Sequence, residues 1–226
     1  YQPIMSMGSS TVRAACRAET DAVAIATPVY PPFLSAPYTC GVRLERVPLH
    51  ESRDGARLRY EIDWAAMEAA LALPHVRVLL WANPHNPTGR CWTADDMRRL
   101  CELCVAHDVV LCSDEARMLL LFTRGTPRSC CCDDDGCGDD GGGGDGGGHL
   151  QVWGELVLNP ATPFISALSL LDDVDGLADH LVVLTSPSKC FNVAGLDVSY
   201  AVAPSDTLRR RFRRVGIDQA EVTRDE

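Results

Sequence analysis

The chain has 226 residues, 46% hydrophobic and 23% charged, which suits a globular protein of one domain with part of a second. Twenty-one cationic residues against 31 acidic ones leave a net charge of −10. Six of the acids (Asp133, Asp134, Asp135, Asp139, Asp140, Asp145) sit in one glycine-rich run, so the remainder is mildly acidic and no nucleic-acid surface is expected. No apolar run approaches the roughly 18 residues of a membrane span, and no basic and apolar leader opens the chain, so neither a membrane partner nor secretion is expected. The 11 cysteines are an odd set with four clustered at 130–137, unlike a secreted disulfide framework; reduced thiols in a cytoplasmic compartment are expected.

In chain order, residues 11–18 are expected to be helical, with Gly8-Ser9-Ser10 preceding that helix. Residues 23–26 read as a buried strand ending at Thr27-Pro28, and Tyr30-Pro31-Pro32-Phe33 as a rigid turn. Residues 42–47 alternate apolar and charged side chains as a strand does. Asp63 reads as the N-cap of a helix with Trp64, Met67 and Leu71 on one face. Residues 76–81 form a β-rich run, followed by Asn83-Pro84-His85-Asn86-Pro87-Thr88-Gly89, which is incompatible with regular structure.

Thr93-Ala94-Asp95-Asp96 resembles a capping box, and Met97, Leu100, Leu103 and Cys104 follow at helical spacing. Within that helix Cys101 and Cys104 are expected to pack in the core rather than serve redox chemistry. Residues 109–112 and 181–184 read as strands ending at Ser113-Asp114-Glu115 and at Thr185-Ser186-Pro187-Ser188-Lys189. Residues 198–203 read as one more strand, and residues 208–214 as a basic helix.

Short strands alternating with helices predict an α/β fold with a mostly parallel sheet flanked by helices. Polar clusters follow strands after residues 81, 112 and 184, and open α/β sheets bind ligands at that edge, so one shared site is expected. Residues 124–149, with Cys130-Cys131-Cys132, the Asp run and seven glycines within 141–148, are expected to form a disordered surface loop. No metal is expected, because Cys130, Cys131, Cys132, Cys137 and His149 depart from the C-x2-4-C zinc spacing. Of the 21 cationic residues 20 are Arg, and the one Lys is Lys189. Drift towards Arg accounts for that count; so does a need for a primary amine, which can form a Schiff base where a guanidinium cannot.

Three ordered motifs, Asn83-Pro84-His85-Asn86-Pro87-Thr88-Gly89-Arg90, Ser113-Asp114-Glu115 and Ser186-Pro187-Ser188-Lys189-Cys190-Phe191-Asn192-Val193-Ala194-Gly195-Leu196, resemble the fold-type I pyridoxal-phosphate enzymes of aminotransferase class I/II. Thr27-Pro28-Val29-Tyr30-Pro31-Pro32-Phe33 and Ala194-Gly195-Leu196 resemble more narrowly the cystathionine β-lyase (C–S lyase) branch of MalY/PatB type. The resemblance covers nearly the whole chain outside residues 123–161. It implies a three-layer large domain over residues 1–204, interrupted by 124–149, with 205–226 starting the connecting helix to a small domain that the chain lacks. In relatives a further segment precedes the position of Tyr1, and the small domain supplies the Arg that holds the substrate carboxylate.

The cofactor implied is pyridoxal 5'-phosphate. The resemblance gives Lys189 the Schiff-base role and Asp114 the ring nitrogen. It gives Asn86 the ring hydroxyl and Tyr30 the stacking face. Ser186 and Ser188, with Gly8, Ser9 and Ser10 at a helix start, take the phosphate. Read without it, Asp114 also suits a helix or turn cap and Asn86 a turn before proline. Arg117 departs from the His usual in this branch, and Asp197 places an acid where many class I aminotransferases carry a phosphate-binding Arg. The implied function is a C–S β-lyase acting on a small amino-acid substrate as a homodimer. The alternatives are a class I/II aminotransferase and an inactive cofactor-binding fragment.

Overall fold

A computed structural model describes residues 2–16, 18–55, 57–116, 164–188, 194–196 and 198–216. Helix α1 spans Gln2–Ala15 and is followed by strand β1, Ala22–Thr27, and helix α2, Pro31–Cys40. Strands β2 (Arg43–Pro48), β3 (His50–Asp54) and β4 (Arg57–Glu61) lead to helix α3, Trp64–Leu71. Strand β5 (Val76–Ala82), helix α4 (Ala94–Ala106) and strand β6 (Val110–Asp114) follow. After two short 3-10 turns come strands β7 (Leu181–Thr185) and β8 (Tyr200–Val202) and helix α5, Asp206–Gly216.

Six strands make one sheet in the order β2-β1-β5-β6-β7-β8. All neighbours are parallel except β7 and β8, which run antiparallel. β3 and β4 form a separate antiparallel hairpin. The parallel strands are buried on both faces, and successive residues serve opposite layers. Leu79 and Trp81 of β5 pack with Met67, Met97 and Leu100 of α3 and α4. Val78 and Leu80 pack on the other side with Val12, Phe33 and Leu208 of α1, α2 and α5. The expected three-layer α/β/α architecture is what forms.

Local chemistry explains the helix boundaries. Asp63 caps α3 by accepting the Ala66 N–H, and Thr93 and Asp96 make a reciprocal capping box on α4. Cys101 and Cys104 lie fully buried in the core, as their spacing suggested. The turn expected at residues 30–33 is instead the start of α2. Pro31 and Pro32 stand at its first two positions, where a helix has no use for an N–H. α1 also begins earlier than residue 11, with Pro3 in its first turn.

Among the described residues, no helix is long and apolar enough to cross a membrane, and no group of three metal-ligating side chains gathers. The low-complexity segment 124–149, with its cysteines and His149, lies outside the described residues.

Candidate active site

The ends of β5, β6 and β7 are neighbours on one sheet edge, so the three polar clusters read from the sequence come together. Backbone bonds continue the ladder past the strands. The Asn83 N–H donates to the Asp114 carbonyl at 3.0 Å, and the Glu115 N–H to the Leu184 carbonyl at 2.8 Å. Asp114, half-buried as the last residue of β6, accepts the Ala116 N–H on Oδ1 at 3.0 Å. Tyr30, beyond the end of β1, donates its N–H to the Asn86 carbonyl at 2.9 Å, which ties its loop to the one after β5.

Ser186 and Ser188 are buried just past β7. The Ser186 hydroxyl donates to the Val198 carbonyl at 2.7 Å and accepts the Ser188 N–H at 3.1 Å. Ser188 Oγ stands 2.8 Å from Ser186 Oγ. Ser186 is therefore spent on pinning its own loop, and the rotatable Ser188 hydroxyl is the one able to turn towards a ligand.

Gly8, Ser9 and Ser10 do not precede the first helix; they sit in the middle of α1. Their N–H groups belong to its ladder and do not form an anion cradle of the kind a helix start offers. Gly and Ser are poor helix formers, and here packing overrides that preference. α1 lies flat on the sheet, with a Cβ at Gly8 reaching only to 3.9 Å from Leu184 Cδ1. Lys189, with Arg117, Asn192 and Asp197, lies outside the described residues.

Two buried groups were not singled out in the sequence. Glu115 is fully buried and accepts three bonds: from Ser113 Oγ at 3.0 Å, from Ser166 Oγ at 2.6 Å and from the Ala167 N–H at 2.9 Å. Burial pushes its carboxyl up from the ordinary value, and those bonds work against the rise. Asn83 donates its side-chain amide to the Ile165 carbonyl at 2.8 Å. Together they clamp residues 165–167 to the strand ends beside Asp114. The acidic pair Asp114-Glu115 was visible at a strand end, but its partners lie 51 and 52 residues away.

His85 is the other. It is 1% exposed, tilted against Trp81 and edge-on to Trp92 at centroid distances of 6.1 and 5.6 Å, and burial pushes its pKa down to about 4.

The sequence matches the family described as aminotransferase class I and II over residues 2–134, more than half of the chain. The chain belongs to that family. This aminotransferase-class chain is 33% identical over 192 residues to cystathionine beta-lyase PatB of Bacillus subtilis, covering 85% of the chain and 38% of that protein. It is 26% identical to protein MalY of Escherichia coli, covering 85% of the chain and 37% of MalY. It thus spans well under half the length of these relatives. The fold superposes on cystalysin from Treponema denticola, whose structure contains a pyridoxal 5'-phosphate cofactor. The TM-score is 0.71 and the identity 24%, over 96% of this chain and 43% of that one.

Proposed function

We propose that this aminotransferase-class chain carries the pyridoxal-phosphate-binding half of a C–S β-lyase that releases a thiol from a small amino-acid substrate. The observation that carries the reading is the convergence of Asn86, Asp114 and Ser188 on the shared end of β5, β6 and β7, with Tyr30 tied to Asn86. The similarity to PatB supports the lyase branch. The large domain spans 1–204 in this reading, and α5 opens the connection to a further domain.

The donor set suits the cofactor. Asp114 ends β6, Asn86 lies in the loop after β5, and the buried Ser188 hydroxyl lies past β7. Thr185 Oγ1, at that same end, is buried with no hydrogen-bond partner among the described residues. The bound cofactor supplies an electron sink for charge developing at the substrate Cα. The chain supplies the rest in this reading. Asp114 holds the proton on the ring nitrogen, Asn86 donates to the ring hydroxyl oxygen, and Tyr30 covers the ring face. Ser188 takes the phosphate. Lys189 Nζ anchors the cofactor and then moves the Cα proton. For cystathionine the balance is substrate plus water giving homocysteine, pyruvate and ammonia.

The test is to incubate the chain with pyridoxal phosphate, reduce with borohydride and map the adduct by mass spectrometry. The expected result is an adduct on Lys189, with pyruvate and thiol formed from cystathionine. Turnover that gives a keto acid without thiol or pyruvate assigns the aminotransferase reaction instead. An adduct without turnover supports a cofactor-binding fragment, and no adduct on Lys189 overturns the cofactor reading.

A further inference from the structure

The Asn86 loop raises a physical question that its proposed chemistry leaves open. Residues 83–93 contain no repetitive structure, yet this loop must hold one side chain at the cofactor ring and one backbone carbonyl at Tyr30. The loop is pinched by two backbone bonds: the His85 N–H donates to the Arg90 carbonyl and the Gly89 N–H to the His85 carbonyl, each at 2.8 Å. Within the pinch, His85 Nδ1 stands 3.1 Å from Thr88 Oγ1, and the same oxygen accepts the Arg90 N–H at 3.4 Å. A hydroxyl oxygen has two lone pairs and one proton, so Thr88 Oγ1 can accept the amide and pair with Nδ1 in either tautomer of the ring.

His85 Nε2 finds no hydrogen-bond partner among the described residues. An unpaired polar nitrogen in a packed interior is unfavourable, and a hydrocarbon ring would fill the same space without that penalty. What the hydrocarbon would lack is the bond to Thr88. His85 and Asn86 are chain neighbours. The ring at 85 is fully buried against the Trp81 and Trp92 indoles while Asn86 is half-buried at the sheet edge. Fixing the ring therefore fixes the backbone from which Asn86 projects.

We propose that His85 is a positioning residue: its imidazole, wedged against the Trp81–Trp92 pair and bonded to Thr88, locks the loop that sets Asn86 and Tyr30 at the cofactor edge of the sheet. The proposal rests on the cofactor reading above. It distinguishes two contributions of the ring, the wedge and the bond, and assigns the positioning to the bond.

The experiment compares the full chain with His85→Phe, which keeps the wedge, and Thr88→Val, which keeps the ring and removes its partner. Without cofactor, amide hydrogen exchange is read by mass spectrometry over residues 83–93. The expected result for both variants is exchange about tenfold faster in that loop, the ratio a lost hydrogen bond supports, with β5 and α4 unchanged. With cofactor, capture on Lys189 is expected to need several-fold more pyridoxal phosphate. The pH midpoint of the bound cofactor's visible band is expected to move up, because a misplaced Asn86 no longer donates to the ring oxygen.

Loop exchange equal to that of the parent overturns the proposal. So does a lowered melting temperature with capture and midpoint unchanged, which marks His85 as packing alone. If the parent captures no cofactor, the functional reading fails while the exchange comparison still decides whether His85 locks the loop.

Discussion

At the scale of single residues, two buried ionisable groups govern how this chain answers to pH, and their signs differ. Burial lowers the His85 pKa from 6.5 to about 4, so the fold favours the neutral ring. A depressed folded-state value gives stability that is present above the unfolded value and lost as pH falls through the folded one. The loss therefore runs between pH 6.5 and about 4. The shift corresponds to about 3 kcal/mol in all. Urea unfolding across that window should show this decline in the parent and its disappearance in His85→Phe. Glu115 behaves in the opposite sense. Its raised pKa makes its contribution greatest below the ordinary carboxylate value and diminishes it as pH rises through the folded one. Glu115→Gln should flatten that fall in the same titration. Glu115→Ala should cost about 3 kcal/mol, because it strands the donors of Ser113, Ser166 and Ala167 in the interior.

Elements tell a different story about what a sequence discloses. β1, β5, β6, β7 and α4 were legible because each is written in local chemistry. The strands are β-rich apolar runs stopped by polar clusters, and α4 opens with a capping box. Asp114 was readable as the polar end of a buried strand, whereas the role given to Asn86 came from the resemblance, since its own residues say only that a turn precedes Pro87. The hairpin of β3 and β4 was not read, although Asp54-Gly55 is a turn signal and Gly55 has a φ of 59°. β3 carries no apolar residue, and β4 alternates only Leu58 and Tyr60 with charged side chains, too short a pattern to stand out.

The Glu115–Asn83 clamp was invisible for a stricter reason: its partners on residues 165–167 are 51 to 82 residues away and meet only in the fold. Gly8-Ser9-Ser10 was misplaced because propensity argues for a loop where packing on the sheet makes a helix. That correction has a test. A Cβ at Gly8 meets nothing closer than 3.9 Å, so Gly8→Ala should raise the melting midpoint, gaining about 0.5–1 kcal/mol. A glycine needed in a phosphate cradle would instead weaken cofactor capture when replaced. In the same spirit Thr93→Ala should remove half of the α4 capping box and cost about 1 kcal/mol, leaving capture on Lys189 unchanged.

At the scale of the whole molecule, the two-faced sheet sorts the thiols. Cys101 and Cys104 lie in one core and Cys112 in the other, all fully buried and with their thiols pushed up by burial. Cys16 and Cys40 are half-buried at the margin. A thiol-specific reagent applied to the native chain, with peptide mapping, should mark Cys40 before any of the three core cysteines, which should react only on unfolding. The bond from Ser186 to the Val198 carbonyl reaches further than its 2.7 Å suggests. It fastens together the two ends of a stretch that contains Lys189, turning that stretch into a tethered ring. Lys189 follows Ser186 by three residues, so its Cα stays within about 11 Å of the Ser186 Cα, just past the end of β7, whatever path the chain takes. One amine confined to such a sphere, with its own side-chain reach added, has a local concentration on the order of 0.1 M. The lone lysine thus meets an aldehyde at that sheet edge as a neighbour on a leash rather than as a solute, and the leash is the covalent chain itself, so Ser186→Ala should leave the rate of its capture within a few-fold of the parent's.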